Sequence, residues 1–282
     1  MPTYEPGQGW TLGNRDPKTL AVVMPLLQWA YQHYFHVQSD GWEHVRPDQP
    51  TLFVGAHNGG FAAPDMYMAL YEWCRRFGVD RPAYGLMHPN VWRVFPQLAR
   101  WAMRLGAVQA HPKMAIAALR QGASVLVYPG GGQDAFRPSH QRDRIYFHER
   151  RGFIKLALRE GVPIVPVISW GAHDCFWVLA DGYPQVQQQL HHWGMPWPLG
   201  IDPEMFPIYV GLPWGLALGP LPHLPWPTPV DLRVLPAIAF DRYGREAAKD
   251  SAYVEACYQQ VLTTMQRGLD QLILDSHQRR RT

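Results

Sequence analysis

Short apolar runs alternating with helical patterns are what most constrain the fold of this chain. TLFVGA (residues 51–56) runs out at His57, SVLVY (124–128) runs into Pro-Gly-Gly-Gly, and VPIVPVIS (162–169) follows Gly161. Runs with so few polar positions must be covered on both sides, as strands are in a parallel sheet between helical layers. Helical patterns occupy 65–77, 91–105, 113–121 and 152–160, with Asp65 suited to cap the first of them and Gly78 to stop it. Further strands are expected at 83–87 and 107–109. The order predicts an α/β fold: a largely parallel, mixed central sheet flanked by helices.

The ends of the chain read differently. Residues 1–16 look like a loose arm, and 17–36 like one or two helical pieces broken or kinked at Pro25, lying on a membrane or capping the core. Residues 37–45, around Gly41, alternate as a half-buried strand does. Prolines recur through 182–236 and exclude continuous regular structure there. Val254, Tyr258, Val261, Met265, Leu269 and Leu272 recur at spacings of three and four, which makes 251–274 a helix with one buried face; the basic HQRRRT end is expected to be solvated. The expected division is an N-terminal arm and interfacial helical segment (1–36), a central domain (37–240) containing a Trp/Pro-rich lobe (182–236), and a C-terminal helix with a basic tail (241–282).

With 282 residues, 47% of them hydrophobic, the chain can bury a full core. Its net charge of +3 is too small to point to nucleic acid, and no nucleic-acid-binding spacing is present. Cys74, Cys175 and Cys257 lie far apart and form no CxxC pair, which argues against a disulfide framework or zinc knuckle and fits a reducing, cytoplasmic compartment. The N-terminus lacks the pattern of a signal peptide, and no apolar run reaches the roughly 20 residues that cross a bilayer. The twelve tryptophans include Trp193, Trp197, Trp214 and Trp226 in the proline-rich segment. Indoles there either rest at a lipid headgroup level or pack an irregular lobe; peripheral attachment on the cytoplasmic side of a membrane is the expectation carried forward.

The chemistry concentrates in two loops. His57 stands where a buried strand opens into Asn58-Gly59-Gly60, and strand C-termini are where α/β sheets bind ligands. An imidazole there can take a proton from a hydroxyl as it attacks a thioester, with Asp65 holding the other ring nitrogen. Gly130-Gly131-Gly132 lets backbone N–H groups approach an oxyanion or phosphate. Arg137, Arg142, Arg144, Arg150, Arg151 and Lys155 follow, either as phosphate ligands or as a solvated loop paired with Asp134, Asp143 and Glu149. No G-x-S-x-G elbow, H-E-x-x-H, P-loop or dinucleotide fingerprint occurs, so no metal or cofactor is expected.

Taken together, GAHNGGFAAPD, LVYPGGGQDAFRP and RRGFIKLALREGVPIVPVISWGAHDCF resemble successive blocks of the glycerolipid acyltransferase superfamily, in particular its diacylglycerol-acyltransferase-like branch. The resemblance covers residues 37–178 and extends more weakly to about 240. It implies a catalytic histidine at His57 and acyl transfer from acyl-CoA or acyl carrier protein to a glycerolipid hydroxyl, with no metal and no covalent enzyme intermediate. Where lysophosphatidate acyltransferases place their aspartate this chain has Ala62, and where they show Phe-Pro-Glu-Gly it has Tyr128-Pro129-Gly130-Gly131. Those departures favour a neutral acceptor such as diacylglycerol or a long-chain alcohol. The alternatives are a lysophospholipid acyltransferase making phosphatidate, which the arginines favour, and a non-catalytic lipid-binding protein.

Overall fold

A computed structural model describes residues 8–281. Helix α1 (Pro17–Trp29) starts at Asp16, whose side chain accepts from Lys18 N, and leads through a π-turn (Ala30–Tyr34) to β1 (Gln38–Asp40) and β2 (Leu52–Gly55). Helix α2 (Pro64–Phe77), β3 (Ala83–Met87), α3 (Pro89–Val94), α4 (Pro96–Arg104), β4 (Ala107–Gln109), α5 (Pro112–Arg120) and β5 (Ser124–Val127) follow, each strand separated from the next by one or two helices. After β5 come the short α6 (Gly131–Ala135), α7 (Gly152–Glu160) and β6 (Ile164–Trp170). The remainder comprises β7 (Trp177–Asp181), α8 (Tyr183–His192), β8 (Pro207–Gly211), β9 (Gly215–Leu218), β10 (Asp231–Val234), α9 (Arg245–Lys249) and α10 (Ser251–Arg279).

The main sheet has the order β1-β10-β6-β2-β5-β3-β4. Strands β6, β2, β5, β3 and β4 run parallel to their neighbours, whereas β10 is antiparallel to β6 and parallel to β1. The two-residue period of a strand splits the apolar runs between two cores. Leu52, Val54, Ile164 and Ile168 face α5, α7 and α10, while Phe53, Val165 and Val167 face α1 and α2. This is why β2 and β6 are buried at every position. A second sheet, β7-β8-β9, is antiparallel and separate.

Several elements depart from expectation. Helix α1 continues through Pro25, and its hydrogen bonding changes register only at Ala30. The described part of the N-terminal arm is docked, not loose: Gln109 N donates to Gly9 O, and Arg15 donates to Val79 O and Arg81 O. The expected arm over residues 1–7 lies outside the described residues. Only Gln38–Asp40 of the expected strand at 37–45 pairs, because the chain turns at Gly41 into a 3₁₀ turn. Pro96 divides the helix expected over 91–105 into α3 and α4, since proline disfavours helical geometry in the residue before it. The proline-rich 182–236 stretch has no continuous regular structure, as expected, but it holds a helix and short strands, and its β10 joins the main sheet. The basic end is engaged: Arg279 and Arg280 both pair with Asp231, which is buried and also accepts from Ser276 Oγ.

Candidate active site

His57 emerges just past β2, between the ends of β5 and β6, where the sheet's connections part to opposite faces. Its ring stacks on Tyr128, from the end of β5, at 4.7 Å and 29°. Nδ1 lies 3.9 Å from Asp65 Oδ1, beyond hydrogen-bond reach, and is buried without a partner. The imidazole side chain keeps 20% of its surface exposed, and Nε2 is not among the buried orphans, so Nε2 is the nitrogen that faces out.

Asp65 is buried in the first turn of α2, one residue inside the helix, where its cap is Ala63. Its Oδ1 accepts from Met66 N at 2.8 Å and its Oδ2 from Asn58 N at 3.1 Å. Asn58 is equally enclosed. Its Nδ2 donates to Ala56 O and Ser169 Oγ, and its Oδ1 accepts from Arg137. These partners fix which way the amide points.

Arg137 and Asp134 hold this loop from the other side. Arg137 Nη1 donates to His57 O, Asp134 O and Asp134 Oδ1, Nη2 to Asn58 Oδ1 and Arg142 O, and Nε to Gln141 O. Asp134 Oδ2 accepts from His57 N at 2.6 Å. Backbone on either side of the imidazole is therefore bonded to one buried ion pair. Burial pushes His57 down to about 4, with the Arg137 guanidinium adding to the effect. Burial pushes Asp65 up to about 7, and Asp134 up to about 6 despite Arg137. At neutral pH the imidazole is thus an unprotonated acceptor.

The glycines of both loops make room for protein groups. A Cβ on Gly60, where φ is +57°, would lie 2.5 Å from His223 Cε1; one on Gly130 would lie 2.3 Å from Asp134 Cβ, and one on Gly132 2.5 Å from Met205 Cε. Gly59, also at positive φ, accepts at its carbonyl from Cys175 Sγ, 3.8 Å away. The Gly131 N–H donates to Tyr128 O, closing a turn that Arg150 braces through Pro129 O and Gly130 O.

Residues 28–262 match the family described as diacylglycerol acyltransferase. The chain belongs to that family. A relative, diacylglycerol O-acyltransferase 1 of Eremothecium gossypii, is 29% identical over 160 residues, 54% of this chain and 34% of that protein. The match therefore spans about a third of that relative's length. An uncharacterised protein of Mycobacterium tuberculosis is 25% identical over 258 residues, 90% of this chain and 66% of its own. Among solved structures, the 1-acyl-sn-glycerophosphate acyltransferase PlsC of Thermotoga maritima aligns with a TM-score of 0.54 at 17% identity, covering 90% of this chain and 79% of that one. That likeness establishes a shared fold.

In this diacylglycerol acyltransferase family member the structure brings together His57, Asn58, Gly59, Gly60, Asp65, Gly130, Gly131, Gly132 and Arg137, but it divides the expected phosphate-binding arginines. Arg137 is enclosed with every guanidinium nitrogen on a protein acceptor, unlike the open phosphate ligand expected of it. Arg142 is exposed and pairs with Asp174. Arg151 turns away to α10, pairing with Glu255 and lying over the Tyr258 ring. Arg144 is exposed, and its backbone N–H donates to Gln141 O. Asp134 is more than the counter-charge expected of it, and Ser169 and His223, which the sequence does not single out, join the site along with Tyr128. Ser169 carried a signal, a hydroxyl closing an otherwise apolar strand; His223 carried none, because its place depends on how the segment after β9 folds back. Among the described residues no group of three His, Cys, Asp or Glu side chains is placed to hold a metal ion, and no helix is long and apolar enough to cross a membrane.

Proposed function

We propose that this protein moves a fatty acyl group from an acyl thioester, acyl-CoA or acyl carrier protein, to the hydroxyl of a neutral glycerolipid or long-chain alcohol. His57 is the general base. Its Nε2 takes the hydroxyl proton as the oxygen attacks the thioester carbonyl; collapse of the tetrahedral adduct expels a thiolate, which recovers the proton from the imidazolium. Asp65, facing Nδ1, orients the ring and stabilises it while it is charged. The carrying observation is the placement of His57 just past β2, with Nδ1 enclosed opposite Asp65 and Nε2 outward.

A neutral acceptor is favoured over a lysophosphatidate because four of the five arginines expected to bind phosphate, Arg137, Arg142, Arg150 and Arg151, are paired with Asp134, Asp174, Glu204 and Glu255. The name of the fungal relative points the same way. The protein works attached to the cytoplasmic side of a membrane, without spanning it, where such acceptors reside.

Release of free thiol is measured with acyl-CoA while diacylglycerol, a long-chain alcohol and lysophosphatidate are offered separately. Ester formation with a neutral acceptor, absent in His57→Ala, is expected. Preference for lysophosphatidate would overturn the acceptor assignment, and thioester left intact with every acceptor would return the chain to lipid binding alone.

A further inference from the structure

We propose that the outer face of the β7-β8-β9 sheet, together with the loop after β9, is the surface on which this protein sits on a lipid bilayer. An antiparallel sheet with one solvated face normally alternates apolar-in with polar-out. This one is apolar on both faces. Val178, Tyr209 and Ala217 point inward and are buried, while Trp177, Leu216 and Leu218 point outward at 60%, 64% and 59% exposure. Register joins them into one patch, since Trp177 pairs with Val210, Val210 with Leu216, and Ile208 with Leu218.

The occupant is a bilayer for three reasons. From Met205 to Val230, which includes β8, β9 and the loop after β9, the chain contains no Asp, Glu, Lys or Arg, and β7 adds only Asp181 at its end, whose Oδ1 accepts from Tyr183 N and Phe206 N, so entering the interface desolvates little fixed charge. The exposed Trp177 and Trp214 have the apolar body and polar tip that suit the headgroup level, and the Trp214 N–H is already bonded to Pro222 O at 2.6 Å. The patch is also continuous with the site. The loop that turns Leu221 and Leu224 outward turns His223 inward, where it stacks on Phe176 at 4.5 Å and abuts Gly60 of the His57 loop. On the far side, Tyr34 donates to Pro225 O at 2.7 Å and lies 5.8 Å from the exposed ring of Trp29. A lipid leaving the bilayer at this surface meets the His57 loop directly.

The choice of a bilayer over a protein partner rests on the proposed lipid acceptor, so binding and catalysis are measured apart. The full chain is floated with phosphatidylcholine vesicles at low salt and at about 0.5 M NaCl. Wild type should float equally at both salts. A Leu216→Thr/Leu218→Thr variant, which keeps strand-forming residues, should lose at least about tenfold in partitioning, and Leu224→Ser, in the loop, should lose several-fold with the sheet untouched. Both should retain the wild-type rate with a water-soluble short-chain alcohol. Undiminished flotation of folded variants, flotation abolished by salt, or a dimer that the variants dissolve while wild type ignores vesicles would each overturn the docking surface. Flotation without acyl transfer would leave this surface standing and sink the catalytic reading; transfer to the soluble alcohol without flotation would do the reverse.

Discussion

In the proposed mechanism His57, Asp65, Asp134 and Arg137 have separate tasks, which separate substitutions can tell apart. His57→Ala should cost about 10²–10⁴-fold in kcat with the fold retained, the usual contribution of a general base. Because His57 is already neutral well below pH 7, the rise of kcat/KM with pH should track ionisation of Asp65 near its raised value of about 7. In Asp65→Asn that limb should disappear, leaving a lower and flatter profile; a profile unchanged from wild type would remove Asp65 from the mechanism. Arg137 is tested by stability. Removing one partner of an enclosed ion pair leaves a buried carboxylate alone, so Arg137→Met should lower unfolding free energy by about 3–5 kcal/mol in denaturant titration. A ligand contact would instead raise KM with little loss of stability.

Helix α10 shows how an element far from the chemistry still holds the site. Val254, Tyr258, Val261, Met265, Leu269 and Leu272 form its buried face, packed over the sheet and α7 as the three-and-four spacing required. Each large side chain so buried contributes about 1.5–3 kcal/mol. Met265→Ala should therefore destabilise the protein by about 2–5 kcal/mol, from lost transfer energy and the cavity left behind, with KM unchanged where the protein stays folded. Arg151 joins α7 to this helix at a partly exposed Glu255. Exposed pairs are worth about 0–1 kcal/mol, so Arg151→Gln should barely move either stability or KM. A large rise in KM would place Arg151 at a substrate after all.

Across the whole molecule, enclosing the site makes stability depend on pH. Asp65 and Asp134 are raised above their ordinary 3.8, so their contribution to stability is full below that value and is lost as pH rises through about 7 for Asp65 and about 6 for Asp134. His57 is depressed from 6.5 to about 4, so its contribution is present above 6.5 and is lost as pH falls toward 4. Between these limits two carboxyls retain protons against one imidazole that sheds its own, and the net contribution of the site declines with rising pH. The Tm of Asp65→Asn relative to wild type should accordingly climb between about pH 5 and about pH 8. A difference that stays flat would mean that Asp65 is ionised throughout.

The sequence by itself determined the layered α/β fold, because a run apolar at nearly every position has no stable place except between two covering layers. The same local logic placed β3, β4 and α7 and the buried face of α10. It also located His57, since a histidine leaving such a strand into glycines must stand at the carboxyl end of the sheet's strands. Tertiary structure decided the roles of the charged residues. Whether Arg142 or Arg151 meets a substrate or an internal carboxylate depends on which elements fold back against it, since Asp174 and Glu255 are remote in sequence; Arg137 pairs with Asp134 only three residues before it, but its bonds to His57 O and Asn58 Oδ1 are made across the fold. His223 is the sharpest case: only the return of the loop after β9 sets it on Gly60, and no pattern within a few residues of it records a contact made across such a distance in sequence.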